Sequence, residues 1–170
     1  HDFSSVVSEI ASRLVDVRPE EFDVVLDEIL RRIGAFAESD GAFICQYSAQ
    51  DDLLSLTHAW TIDMARPRDA FTQNVAAAHT PALMNVLKDS GIVALATVDD
   101  LPPDTDHERA LIEAAGIRSL IEVPLGFKRK FFGVAGLVLF HNARAWPEDQ
   151  INLLSIVAQL FTNALHHKHV

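Results

Sequence analysis

Of the side chains that could do chemistry in this chain, the thiol is the simplest to judge, because Cys45 is the only cysteine. A lone cysteine can serve as a nucleophile, a redox sensor or a chromophore anchor. It cannot form a disulfide within the chain, it lacks a resolving partner, and it does not make a cysteine-based zinc site. Cys45 falls within an apolar run over residues 42–47, where a free cysteine commonly packs as a small hydrophobe. Of the eight histidines, His58, His79, His107 and His141 lie on separate segments without short ligand spacing. His166, His167 and His169 cluster at the end of the chain, where they would take up nickel or zinc only adventitiously. No physiological metal is expected.

Other catalytic signatures are missing. There is no Gly-x-Ser-x-Gly elbow, and the seven glycines are too scattered to cradle a phosphate. Most carboxylates fall in loops or in the first turns of helices, where solvent and the helix dipole account for them. Glu122 is the exception, in the apolar run 120–125. A carboxylate there must face solvent, a pocket or a hydrogen-bonding partner. Small-molecule sites combine apolar walls with a few polar groups. Trp60, Phe71, His79, Met84, Leu87 and Glu122 are the candidate ligand-binding residues on that criterion, although each could equally be plain core.

The elements that must position these residues follow from periodicity. Residues 3–17 carry apolar side chains at helical spacing. Pro19 interrupts the pattern and suits the first turn of a second amphipathic helix, which ends near Ser39. Asp40-Gly41 reads as a turn, followed by strands over 42–47 and 53–62 joined at 48–52. Residues 63–79 read as a long, partly helical loop. A short helix follows, with Thr80 as its cap and Gly91 as its left-handed terminus. A strand over 92–96 and a Pro-rich loop over 99–104 come next. Thr105 to Glu108 resembles a capping box opening a helix that ends at Gly116. Strands over 119–125 and 131–141 flank a hairpin containing the basic run Lys128, Arg129 and Lys130. Gly133 and Gly136 suggest a bulge or a close backbone approach. A final long helix starts at Pro147, with an apolar stripe wide enough for a sheet and a partner helix. The order gives an α+β domain. Its mainly antiparallel sheet has five or six strands, with long terminal helices on one face and short helices on the other.

Composition narrows the function classes. The chain has 170 residues, 49% of them hydrophobic, enough to bury a core without staples. A net charge of −10 opposes binding to nucleic acid or anionic lipid. No apolar run reaches the length of a membrane span. The composition fits a cytoplasmic protein. Because the sequence begins at His1, it is expected to be a fragment of a longer signalling protein.

Several stretches resemble a known family. Residues 113–125, Glu-Ala-Ala-Gly-Ile-Arg-Ser-Leu-Ile-Glu-Val-Pro-Leu, resemble the GAF signature of a helix end and a strand leading into a hairpin. Residues 132–140 look like the strand that follows, and 144–154 like the start of the last helix. Residues 39–47 and 56–60 resemble the first hairpin of GAF domains found beside histidine kinase, diguanylate cyclase and phosphodiesterase modules. The likeness spans roughly 20–167, with 1–18 as a helical lead-in, and implies a single GAF domain of the PAS-related type. It implies a pocket between the sheet and the middle helices, a homodimer through the terminal helices, and an output domain in the parent chain. The function so implied is that of a bacterial sensor domain, not an enzyme. The alternatives are a ligand-free dimerisation and relay module and, further off, a methionine-sulfoxide-reductase-type enzyme. Cys45 does not match a bilin-anchor position. Where cyclic-nucleotide-binding relatives have Asn-Lys, this chain has Asn142-Ala143, which weakens that assignment. The resemblance identifies neither a cofactor nor a ligand.

Overall fold

The computed structural model describes residues 2–62, 74–127 and 129–168. Helix α1 (Phe3–Val15) begins where the Asp2 side chain accepts the Ser5 N–H at 2.8 Å. A 3-10 turn (Pro19–Glu21) leads into α2 (Phe22–Phe36). Strands β1 (Gly41–Ser48) and β2 (Leu53–Thr61) form the first hairpin. Then come β3 (Asn74–Ala76), α3 (Pro81–Lys88), β4 (Val93–Leu95) and α4 (Asp106–Ala114). The chain closes with the hairpin of β5 (Ser119–Phe127) and β6 (Lys130–Leu139), followed by α5 (Glu148–Lys168).

The six strands form one antiparallel sheet in the order β3-β2-β1-β6-β5-β4. Strand alternation sends neighbouring side chains to opposite faces. Ile44, Ile121, Val123 and Leu137 therefore pack with α1, α2 and α5, around the fully buried Leu26, Leu30 and Phe161. Phe43, Cys45, Leu120 and Val138 face a second core with Met84 and Leu87 of α3 and Ile112 of α4. Long helices on one face and short helices on the other are what the sequence pattern predicts.

Two glycines let β1 and β6 approach closely. A Cβ on Gly133 would stand 3.0 Å from Gln46 Cα, and one on Gly136 would stand 2.8 Å from the Ile121 carbonyl oxygen and inside the Phe43 ring. The closure is pinned by Asp40, whose Oδ2 accepts the amides of Phe140 at 2.8 Å and His141 at 3.2 Å.

Several local expectations are corrected. Thr80 and Thr105 stand at helix N-termini, but neither side chain caps its helix. The Thr105 hydroxyl instead donates to the Pro102 carbonyl at 2.6 Å. The capping box lies earlier, in the stretch read as loop: Thr97 accepts from the Asp99 N–H, and Asp100 accepts from the Thr97 N–H. After α3 the left-handed residue is Ser90, with φ 66°, and not Gly91. Helix α2 ends at Phe36, and Glu38 takes the left-handed turn. Strand β3, on the sheet edge beside β2, falls inside the segment expected to be partly helical.

Candidate functional site

The cavity between the sheet and the α3–α4 layer has a volume of about 100 Å³. Phe43 and Cys45 of β1, Leu54 and Leu56 of β2, and Leu120 and Glu122 of β5 form its floor. Thr80, Met84, Leu87, Glu108 and Ile112 come from above. Apart from Thr80, Cys45 and the two glutamates, the described lining is hydrocarbon, and it includes no Lys, Arg or His.

The two carboxylates differ in their circumstances. Glu108 is 2% exposed, and its Oε2 accepts the Leu83 N–H at 2.9 Å. Leu83 lies in the first turn of α3, so Glu108 satisfies a helix-end donor that has no intrahelical partner. A side chain of α4 thereby holds α3 over the sheet. This role replaces the capping role that the sequence suggested for Glu108.

Glu122 is central to the floor. In register it lies between Val93 of β4 and Gly136 of β6, and beyond Gly136 stand Phe43 and Ala59. It is the one charged residue in a row of apolar ones. It is half-buried and lines the cavity, and among the described residues its carboxyl has no hydrogen-bond or ion-pair partner. Burial pushes its pKa up to about 7. Cys45 lies near enough for the Glu122 charge to add to the burial that holds the thiol strongly protonated. A buried, protonated thiol is a poor nucleophile.

Of the residues singled out from the sequence, the structure thus brings Met84, Leu87 and Glu122 together around one space. Phe71 lies outside the described residues, as do Lys128 and His169. His79 is exposed on a 3-10 turn, its ring 5.2 Å from that of His107, and is not among the lining residues. Trp60 is a correction: it packs on the other face, against α2. The cause is a bulge. Ile44 pairs with His58 while Cys45 pairs with Leu56, which leaves Thr57 as an extra residue in β2. One inserted residue reverses the alternation beyond it. Leu54 and Leu56 face the cavity, whereas His58 and Trp60 turn to the helices. His58 Nε2 meets Asp23 Oδ1 of α2 at 2.9 Å. Phe43, Glu108 and Thr80 were not anticipated at the cavity. The alternation of β1 around Cys45 points to Phe43, but Glu108 carried no signal because its partner lies 25 residues away.

A single sheet with this layering and a space beneath its short helices defines a sensor-type α+β domain. A family model described as "GAF domain" matches residues 21–165, and the chain belongs to that family, whose members are sensor and regulatory domains. It is 25% identical over 142 residues to the methanogenesis regulatory histidine kinase FilI of Methanothrix harundinacea. That match takes in 81% of this chain and only 16% of the kinase. Among solved structures, the phycocyanobilin-bound GAF domain from a cyanobacterial phytochrome superposes with a TM-score of 0.81 at 17% identity, over 99% of this chain and 96% of that one. The chromophore-binding domain of Stigmatella aurantiaca bacteriophytochrome gives 0.77 at 15%, over 96% and 60%. The GAF domain of an Acinetobacter phosphoenolpyruvate-protein phosphotransferase gives 0.72 at 15%, over 98% and 94%. At these identities the likeness establishes the fold. Among the described residues no helix is long and apolar enough to cross a membrane, and no group of three metal-ligating side chains converges.

Proposed function

We propose that this chain is the single sensor domain of a larger cytoplasmic signalling protein, that the α3–α4 cavity receives a small molecule, and that its terminal helices relay occupancy to an output domain. The observation that carries this reading is Glu122: a half-buried carboxyl with no hydrogen-bond or ion-pair partner among the described residues, lining a largely apolar space. Partial burial makes an unpaired carboxylate costly to ionise, and a ligand group would offset that cost. The relay follows from the layers. Val123 and Leu125 of β5 pack on the helix side, one residue from the cavity-facing side chains, so a shift of the strand reaches the α5 face directly. Such a shift needs a ligand with different affinity for two arrangements. A catalytic role is not part of this reading, since the one thiol is shielded and protonated.

Native mass spectrometry of the purified protein, against a denatured sample, tests the reading. A small molecule released on denaturation supports it and narrows the ligand by mass. Bare protein that also gains no protection from hydrogen exchange in α3 or α4 across a metabolite screen would refute it. The second reading, a ligand-free dimerisation module, is favoured by an apolar groove where α1 meets α5. Leu14, Val17, Leu160 and Ala164 line it, and Val15 at its edge is 82% exposed. A homodimer in sedimentation, dissociated by Val15→Glu, supports that arrangement.

A further inference from the structure

We propose that the cavity selects a small amine, a cationic nitrogen carried on a compact apolar body, with Glu122 as its counter-charge. The inference rests on the sensor reading above and narrows it to a ligand class.

Three observations converge. The first is the sign of the lining. Among the described residues its polar groups are two carboxylates, a hydroxyl and a thiol, from β5, α4, the residue before α3, and β1. An anion entering this space would lose its hydration and meet no positive group among the described residues. A cation or a strong N–H donor meets acceptors.

The second is which acceptor is free. Glu108 is committed to the Leu83 amide at 2.9 Å. Glu122 has no partner among the described residues. Its neighbours in the sheet row, Val93, Gly136 and Phe43, offer none. An ammonium group placed there makes a charge-assisted hydrogen bond in a low-dielectric site, where such bonds are strongest. Among the described residues, Glu108 and Cys45 are the other titratable groups lining this space.

The third is size. The cavity volume is about 100 Å³. An engineered protein cavity of about 150 Å³ holds one benzene ring. The space therefore suits an alkyl chain or branched group of a few carbons and excludes a tetrapyrrole. Leu54, Leu87 and Ile112 form the walls for that apolar part.

The test uses the chain as it stands, at about pH 8, where Glu122 is largely ionised. Butylamine, butanol and butyrate have matched bodies and differ in charge. Each is titrated while the methyl resonances of Leu54, Leu87 and Ile112 are followed by NMR. The expected result is saturable binding with butylamine about ten-fold tighter than butanol, and no binding of butyrate. In Glu122→Gln, butylamine should weaken to the level of butanol while butanol is unchanged. Butanol binding as tightly as butylamine to the unmodified chain, or any tighter binding of butyrate, overturns the amine inference and leaves the pocket standing. Failure of all three probes to move these resonances overturns the pocket reading, and the amine inference with it.

Discussion

The indole of Trp60 lies directly over Gly34, the one residue of α2 whose missing side chain leaves room for it. A Cβ at Gly34 would stand 2.6 Å from the ring carbon Cε3. The largest side chain of the first hairpin is thus a spacer between β2 and α2 and contributes nothing to the cavity.

Gly34→Ala should destabilise the domain despite the helix propensity that alanine adds. Overpacking costs about 1–3 kcal/mol, against a gain of at most about 1 kcal/mol. In a Trp60→Ala background the same substitution should become stabilising. Urea denaturation of the four proteins in this cycle checks the change of sign. Additive effects would show that the two residues do not interact.

Stability should fall as the pH rises toward and past neutrality, because of Glu122. Its pKa is 4.5 when unfolded and about 7 when folded. Between these values the folded state holds a proton that the unfolded state has lost. The associated stability is therefore fully present below about pH 4.5 and is lost as the pH climbs through about 7, by up to about 3 kcal/mol in all. Glu122→Gln, neutral at every pH, should match the parent protein in acid and exceed it at about pH 8. Denaturation midpoints of both proteins across this range measure the gap, and parallel profiles would contradict the assignment.

Asp40→Ala should cost about 1–3 kcal/mol, because it removes the acceptor for the part-buried amide of Phe140, and for that of His141, at the end of the central strands β1 and β6. For a domain of this size that is a fall of several degrees in Tm. Asp40→Asn keeps an acceptor and should cost less. Thermal denaturation separates the two, and equal losses would mean that charge, not acceptance, matters there.

Cys45 should resist thiol reagents in the native protein and react fully in guanidinium. It is 9% exposed, and its thiol is held protonated by burial and by Glu122. Rapid native labelling would show that the α3–α4 layer opens readily over the cavity.

Much of this architecture was legible in the chain. Helical spacing defined α1, α2 and α5, and the apolar runs around Cys45 and Glu122 marked central strands. The oddity of a glutamate at 122 left solvent, a pocket or a hydrogen-bonding partner as its destinations, and the structure puts it among the cavity lining. Other features depend on relationships that no local pattern records. Glu108 resembles a capping residue for its own helix but reaches α3 instead. Asp100, inside a proline-flanked loop, supplies the capping box. Strand β3 is three residues long and pairs only because the edge of β2 is open, so it carries no periodicity of its own. Trp60 was misplaced for a more specific reason: the alternation that starts at Leu54 is broken at Thr57, and nothing in the residue types announces the extra residue.

That extra residue lets β2 absorb a change of length. In a related chain lacking Thr57, unbroken alternation from Leu54 still carries the imidazole and the indole to the helix side, because the bulge takes up the added residue and restores the phase of the strand. A codon lost at this point therefore leaves the faces of the strand as they are, and α2 keeps its spacer. Length variation here is decoupled from the chemical character of the chamber, which changes only by replacement of the residues around it.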